Sequence, residues 1–296
     1  MNAPLARTVT PAQAGQKLIQ YLKRAAGADV PGSVFMRWIR TGQVRVDGRR
    51  AKPFDRLEEG QSVRLPPFAV TSALRDAPKD EGQGAPVEID IAAETDSWLV
   101  IAKPAGLPVH PGSGWADSVQ TRINAAYADA PFIPVIVHRL DRDTSGLLLA
   151  AKTHRALTSA HEAFKRGLAV KEYLCWARGF WELSALKQPV ELCDLLEKSG
   201  ARGQEKMHAG SGRQARLTAT PLVIESGRTL LRIRLHTGRT HQIRAQLCSR
   251  HHPVIGDAKY GGGKPPMYLH AWRLALFEER FEALPPWTGT FAVNAL

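Results

Sequence analysis

Cysteine is scarce in this sequence: Cys175, Cys193 and Cys248 are three in 296 residues, and no Cys-x-x-Cys pair occurs. That argues against a disulfide framework and against a cysteine zinc site, and leaves the three as small core residues. Long apolar runs are missing too. No stretch of 18 apolar residues and no charged-then-apolar start are present, so neither membrane insertion nor secretion is expected, and the cytoplasm is the expected compartment. No basic amphipathic helix with bulky apolar residues is evident, which weakens a membrane-surface role. Acidic residues are in deficit, 28 Asp and Glu against 40 Lys and Arg for a formal net charge of +12. A partner that is a polyanion or a negative surface follows from that excess. Metal patterns are also wanting. His236, His241, His251 and His252 fit no zinc spacing and have no cysteine or carboxylate cluster beside them, so no metal is expected. Gly261-Gly262-Gly263-Lys264 lacks the spacing of a nucleotide phosphate loop and runs into Pro265, which disfavours nucleotide hydrolysis.

What is present divides into two parts. The length suits one sizeable core plus a smaller module, and 44% hydrophobic with 23% charged residues is ordinary for a globular chain. Residues 1–12 show no periodicity and read as a flexible arm. Leu18, Tyr21, Leu22 and Ala25 recur at helical spacing, and Val34, Trp38 and Ile39 do so again after Pro31-Gly32-Ser33, beside Arg37 and Arg40. Val44 to Val46 before Asp47-Gly48, and Ser62 to Leu65, read as short strands. Residues 1–66 hold 12 Lys and Arg against 5 Asp and Glu, a concentration that suits a binding module at residues 13–67. Residues 68–87 are polar and broken by Gly and Pro, a linker. Residues 88–296 form the second unit. Its expected strands include Trp98 to Lys103, Val170 to Gly179, Gln214 to Thr220, Thr229 to Leu235 and Tyr268 to Leu274. An amphipathic helix runs from Thr153 to Gly167, and another follows the Gly238 turn.

The second unit is organised around His138-Arg139-Leu140-Asp141-Arg142-Asp143-Thr144-Ser145-Gly146. This polar stretch lies between the apolar runs Pro134-Val135-Ile136-Val137 and Leu147-Leu148-Leu149-Ala150-Ala151. Two core strands with turn chemistry between them put these charges where a strand leaves the core, a location that suits a catalytic group. A bland alternative exists, a tight turn in which Asp141 or Asp143 only bonds nearby backbone N–H groups.

The stretch resembles the HRLD-x-x-T-S-G signature of the RluA-type pseudouridine synthases, and the likeness extends along essentially the whole chain. Lys103-Pro104-Ala105-Gly106-Leu107-Pro108-Val109-His110, Lys171-Glu172-Tyr173, and His236 to Leu247 match further family motifs. Cys175 stands where a smaller residue is usual. Arg37 to Gly48 and Leu57 to Gln61 look like an S4 RNA-binding domain, whose helix pair presents arginines to RNA phosphates, here Arg37, Arg40 and Arg45. The resemblance implies an α+β protein, a small S4 domain joined to a catalytic domain with a mixed, mostly antiparallel sheet. It implies isomerisation of uridine to pseudouridine in RNA without cofactor or metal. Asp141 would carry the chemistry, Tyr173 stack on the uracil, and Arg244 face Asp141. Arg139 would fill the gap left by a flipped base, and Lys171 and Arg239 would contact the RNA. An Asp in an enclosed cleft loses hydration, and a neighbouring guanidinium keeps it ionised and aimed. Arg139, two residues before Asp141, would share its face if the strand continues that far, with Leu140 turned to the core.

The form of these motifs points to the branch that modifies large-subunit ribosomal RNA, with ribosomal RNA or a pre-ribosomal particle as partner and a monomer as the working unit. Two alternatives stay open at this level. One is transfer RNA as substrate; the other is a non-catalytic RNA chaperone or ribosome-assembly factor.

Overall fold

The structure, a computed structural model, describes residues 5–25, 30–66, 88–111, 117–199, 206–225 and 227–295. The expected linker at 68–87 lies outside the described residues.

The amino-terminal module runs β1 (Leu5–Thr8), α1 (Leu18–Ala25), α2 (Gly32–Arg40), β2 (Arg45–Val46) and β3 (Ser62–Leu65). Leu18, Tyr21 and Leu22 of α1 and Phe35, Trp38 and Ile39 of α2 are buried together with Val63 and Leu65. The helical spacing of the sequence is therefore the spacing of a shared core. Gly42, at φ +73, takes the chain out of α2. One expectation is corrected. Within the arm assigned to residues 1–12, Leu5–Thr8 is a strand, paired antiparallel with Ser62–Leu65 so that Leu5 lies opposite Leu65. All four of its residues are exposed, so the backbone ladder, and no apolar face, holds it.

The larger unit contains β4 (Ile91–Glu94), β5 (Trp98–Lys103), α3 (Val119–Ala126), β6 (Val135–Ile136), β7 (Ser145–Ala151), α4 (His154–Lys165), β8 (Val170–Arg178), β9 (Val190–Ser199), β10 (Lys206–Ala209), β11 (Arg213–Glu225), β12 (Arg228–Leu235), α5 (Gln242–Cys248), β13 (Leu269–Leu276) and β14 (Glu279–Glu282). Eleven strands form one sheet in the order β10-β9-β11-β12-β8-β13-β7-β5-β4, with β14 added to β13 and β6 to β7. Among the described residues only the β13–β7 pairing is parallel. The mixed, mostly antiparallel sheet is as the family resemblance implies. The strand pair β9–β10 and the helix α3 are additions to that reading.

Strand β7 is buried along its whole length, which accounts for an unbroken aliphatic run where a half-exposed strand would alternate. Helix α4 covers one face of it through Ala156, Leu157, Ala160 and Ala163. Its amino terminus is capped by Thr153, whose side chain accepts from the Ala156 N–H at 3.1 Å. On the opposite face Tyr173, Cys175, Leu231, Ile233, Ile243 and Leu247 join Leu148 and Ala150 in the main core. The site opens on this second face.

Candidate active site

Two strands set where the polar stretch begins. Strand β6 pairs with the far end of β7, Val135 opposite Ala151, and the ladder continues as Val137 N–H donates to the Leu149 carbonyl at 3.0 Å. Then a side chain replaces the backbone. The Leu149 N–H donates to Nε2 of His138 at 3.1 Å, and the ring stacks on Phe164 at 5.3 Å. Burial, with the Lys171 charge adding to it, pushes the His138 imidazole down to about 3, so the neutral ring keeps Nε2 as an acceptor. The main chain is thereby released at residue 138 with its last ladder donor still satisfied.

The three residues that follow part company. Arg139 is exposed, Leu140 is buried in the core, and Asp141 faces a cavity with its side chain 17% exposed. Strand β6 has ended at Ile136, so Arg139 and Asp141 do not share a strand face as alternation would have it. They line the same cavity because the released chain curves along its wall.

The turn after Asp141 is fastened from three sides. Thr144 N–H donates to the Asp141 carbonyl at 3.2 Å, and Gly106 N–H to the Arg142 carbonyl at 2.9 Å. Lys103, at the end of β5 and 1% exposed, spends its ammonium on the carbonyls of Pro104, Leu107 and Arg142 at 2.7–2.8 Å. Burial brings that ammonium down to about 7 against the pull of Asp143 and Asp141. Gly146, at φ +107, lies so close to β13 that a Cβ there would collide with the backbone of Ala271. Ser145 adds a 2.8 Å hydrogen bond to Nδ1 of His270 on β13. Thr-Ser-Gly is thus the sequence of a strand that must pass tightly beside a parallel neighbour.

Asp141 is held from α5. Arg244 Nη1 donates to its Oδ2 at 3.0 Å, while Nε and Nη2 of the same guanidinium grip Asp257 at 2.7 and 2.8 Å. Asp257 is wholly enclosed and also accepts from the N–H groups of Lys259 and Tyr260. Burial opposes charge on both members, yet the pairing outweighs it: Arg244 is held above its ordinary value and Asp257 below. One arginine thus anchors to a buried carboxylate and presents its remaining edge to Asp141. His241 Nε2 lies 3.9 Å from the other oxygen of Asp141.

Tyr173 projects from the middle of β8, opposite Ile233 of β12 and Ala271 of β13. Burial, reinforced by the Asp141 charge, raises its hydroxyl above the ordinary tyrosine value, so at neutral pH it is a phenol. Lys171, two residues earlier on the same face, has its ammonium 5.6 Å from the Phe164 ring and is lowered by burial. Arg239 donates from Nε to the Gln214 carbonyl at 2.9 Å. These side chains, with Arg139, Asp141, His241 and Arg244, line a cavity of about 540 Å³, within the range of small-molecule sites.

Six residues named from the sequence therefore converge: Asp141, Tyr173, Arg244, Arg139, Lys171 and Arg239. The other three do not. Arg37 and Arg40 are exposed on the last turn of α2, and Arg45 is tied to its own turn through the Gly42 and Gly48 carbonyls. Asp257, Tyr260 and Lys103 complete the site without having been singled out. The histidines go to separate partners, His236 to Thr218 and His252 to the Arg178 carbonyl. Among the described residues no helix is long and apolar enough to cross a membrane.

Comparison with known proteins gives a consistent picture. Residues 97–249 match the family model of RNA pseudouridylate synthase. The chain is similar to "Ribosomal large subunit pseudouridine synthase C" of Escherichia coli K12, 36% identical over 86% of this chain and 78% of that one. The protein of the same name from Haemophilus influenzae is 35% identical over 93% of this chain and 86% of that one. Among solved structures, "Human RNA Pseudouridylate Synthase Domain Containing 1" shares the fold with a TM-score of 0.57, at 24% identity over 69% of this chain and 86% of that one.

Proposed function

The chain belongs to the RNA pseudouridylate synthase family, and from that premise we propose that it isomerises specific uridines of large-subunit ribosomal RNA with Asp141 as the catalytic group. The observation that carries the reading is one carboxylate, clamped by Arg244 and lining a single cavity together with Tyr173. The reaction breaks the N1–C1′ bond, turns the uracil and joins C5 to C1′. C5 releases a proton and N1 takes one up, so no atom is supplied from outside. A single aimed carboxylate meets that need as the group that acts on the flipped uridine. Tyr173, kept as a phenol, offers a flat ring beside Asp141 for the uracil to rest on.

The target base must leave the RNA stack, at a cost of a few kcal/mol. Arg139, exposed at the rim beside Asp141, is placed to occupy the space the base vacates, and Lys171 and Arg239 provide positive charge along the cavity wall. Affinity comes from farther away. Residues 5–66 form a compact basic module of two helices and three strands, which we read as an S4-type RNA-binding domain with Arg37 and Arg40 on the phosphates. Residues 88–296 form the catalytic domain. The similarly named relatives support large-subunit ribosomal RNA as the substrate, met as a monomer in the cytoplasm on free RNA or a pre-ribosomal particle.

The test is a map of pseudouridine in ribosomal RNA from cells lacking the protein, complemented with wild type or Asp141→Asn. Specific large-subunit sites should vanish and return with wild type alone, while purified Asp141→Asn still binds RNA. An unchanged ribosomal map would reject this substrate and direct the search to transfer RNA.

A further inference from the structure

Arg244 secures only one oxygen of Asp141. The other faces His241, whose ring is itself held on its far side. His241 Nδ1 lies 3.0 Å from the hydroxyl of Tyr260, and that hydroxyl accepts the N–H of Met207, on edge strand β10, at 2.8 Å. With one lone pair of that oxygen taken by Met207, the Tyr260 hydroxyl can donate its proton to Nδ1. The ring then carries its own proton on Nε2, the atom nearest Asp141. Burial lowers His241 from its ordinary value while Asp141 opposes the shift, which agrees with a neutral ring.

The backbone points the same way. His241 caps α5 in the left-handed region, at φ +52 and ψ +22, a conformation that glycine adopts freely and other residues adopt at a cost on the order of 1 kcal/mol. Tyr260 is braced independently by the guanidinium of Arg244, 5.1 Å from its ring centroid. At 3.9 Å the His241–Asp141 contact is ion to dipole and not yet a hydrogen bond. Contacts of this kind in a free site can tighten when substrate is seated.

We propose that Tyr260 and His241 form a positioning relay for the catalytic carboxylate, fixing the second oxygen of Asp141 so that it cannot rotate away from the flipped uridine, and tying its aim to strand β10. The proposal rests on the assignment of Asp141 above. Neither residue touches the reacting atoms in this scheme; both act through Asp141. The charged groups around the ring are Asp141, Arg244, Asp257 and Lys259, with Lys206 of β10 6.0 Å from the Tyr260 ring.

The experiment uses the full chain and a large-subunit ribosomal RNA transcript carrying tritium at uridine C5, whose release follows the loss of the C5 proton. Single-turnover rates are measured across pH for wild type, Tyr260→Phe, His241→Gln and His241→Leu. Loss of aim at a reacting group costs about 10²-fold in rate, and that is the fall expected for His241→Leu and for Tyr260→Phe, with half-saturation by RNA nearly unchanged. His241→Gln, whose amide can present a donor toward Asp141, should recover about tenfold of that loss.

If Leu serves as well as Gln at position 241, or the Tyr260→Phe profile superimposes on wild type, the relay is overturned. Both substitutions at 241 bear the same backbone strain, so a folding defect would appear in each; Tyr260→Phe keeps its ring over Arg244 and then decides. A wild type that releases no tritium would overturn the ribosomal RNA assignment, and the relay with it. A silent Asp141→Asn beside an active wild type secures that assignment separately.

Discussion

Arg244 makes three contacts with one planar group, two to Asp257 and one to Asp141. Only a guanidinium has the donors to do this in a fixed geometry. Its cation is buried, and removing Asp257 would leave that charge with Asp141 alone, which is the costly way to break a buried pair. Arg244→Lys is the informative change. The charge survives, but a single ammonium cannot hold the fork on Asp257 and still reach Asp141. A fall of about 10²-fold in the single-turnover rate is expected, with RNA affinity kept, because the loss is one of aim. Rates within twofold of wild type would show that charge near Asp141 is sufficient and geometry is not. Lys103 shows the complementary use of a cation. Its three carbonyl acceptors belong to two loops, so it fixes the turn that carries Asp141 without approaching the chemistry.

At the scale of elements, β7 is the strand on which the site is built, and histidines fasten it to two of its three neighbours. His138 closes the β6 side, and His270 the β13 side. The His270 ring accepts from Ser145 and donates from Nε2 to the Ala283 carbonyl at 3.0 Å. Burial pushes it down to about 4. Between the free value of about 6.5 and the folded value, the unfolded chain binds a proton that the folded chain does not, so stability falls as pH is lowered through that window. The slope for one group rises from half of its limit at pH 6.5 toward about 1.4 kcal/mol per pH unit, so about 1.6 kcal/mol should be lost between pH 6.5 and pH 5 from His270 alone. Urea unfolding of wild type and His270→Gln at those two pH values checks this; equal losses in both would remove His270 as the source.

The elements also show what the sequence carries and what it does not. The placement of Asp141 is legible because charges stand between two apolar runs, a local pattern. Arg244 and Tyr173 are legible through the motifs that hold them. Asp257 and Tyr260 belong to no periodic segment with a chemical signature of its own, and they matter only because the fold brings their loop against α5 and β10; Lys103 stands in a family motif, but its three carbonyl partners are set by the fold. Strand β1 escapes notice for a related reason. All four of its residues are exposed, so no alternation of apolar and polar residues announces it, and its pairing partner lies at the other end of the module.

Over the whole molecule, the net charge of +12 separates binding from chemistry. The cavity supplies few of the cations, and Arg239 there is already engaged with a carbonyl. Arg37 and Arg40 stand exposed in the last turn of α2, on a module that contributes no residue to the cavity. Each phosphate neutralised by such a side chain releases counterions, so its contribution to binding fades as salt rises while a buried pair such as Arg244–Asp141 is little screened. Replacing Arg37 and Arg40 together by Ala should therefore reduce the slope of log K against log salt by about 1.4 to 1.8, for single-stranded or duplex contacts respectively. The single-turnover rate at saturating RNA should be unchanged. Binding isotherms of the double variant at several salt concentrations, paired with that rate, provide the check. An unchanged slope would place the phosphate contacts elsewhere on the surface, and a fallen saturating rate would mean that the module positions the target uridine as well as holding the RNA.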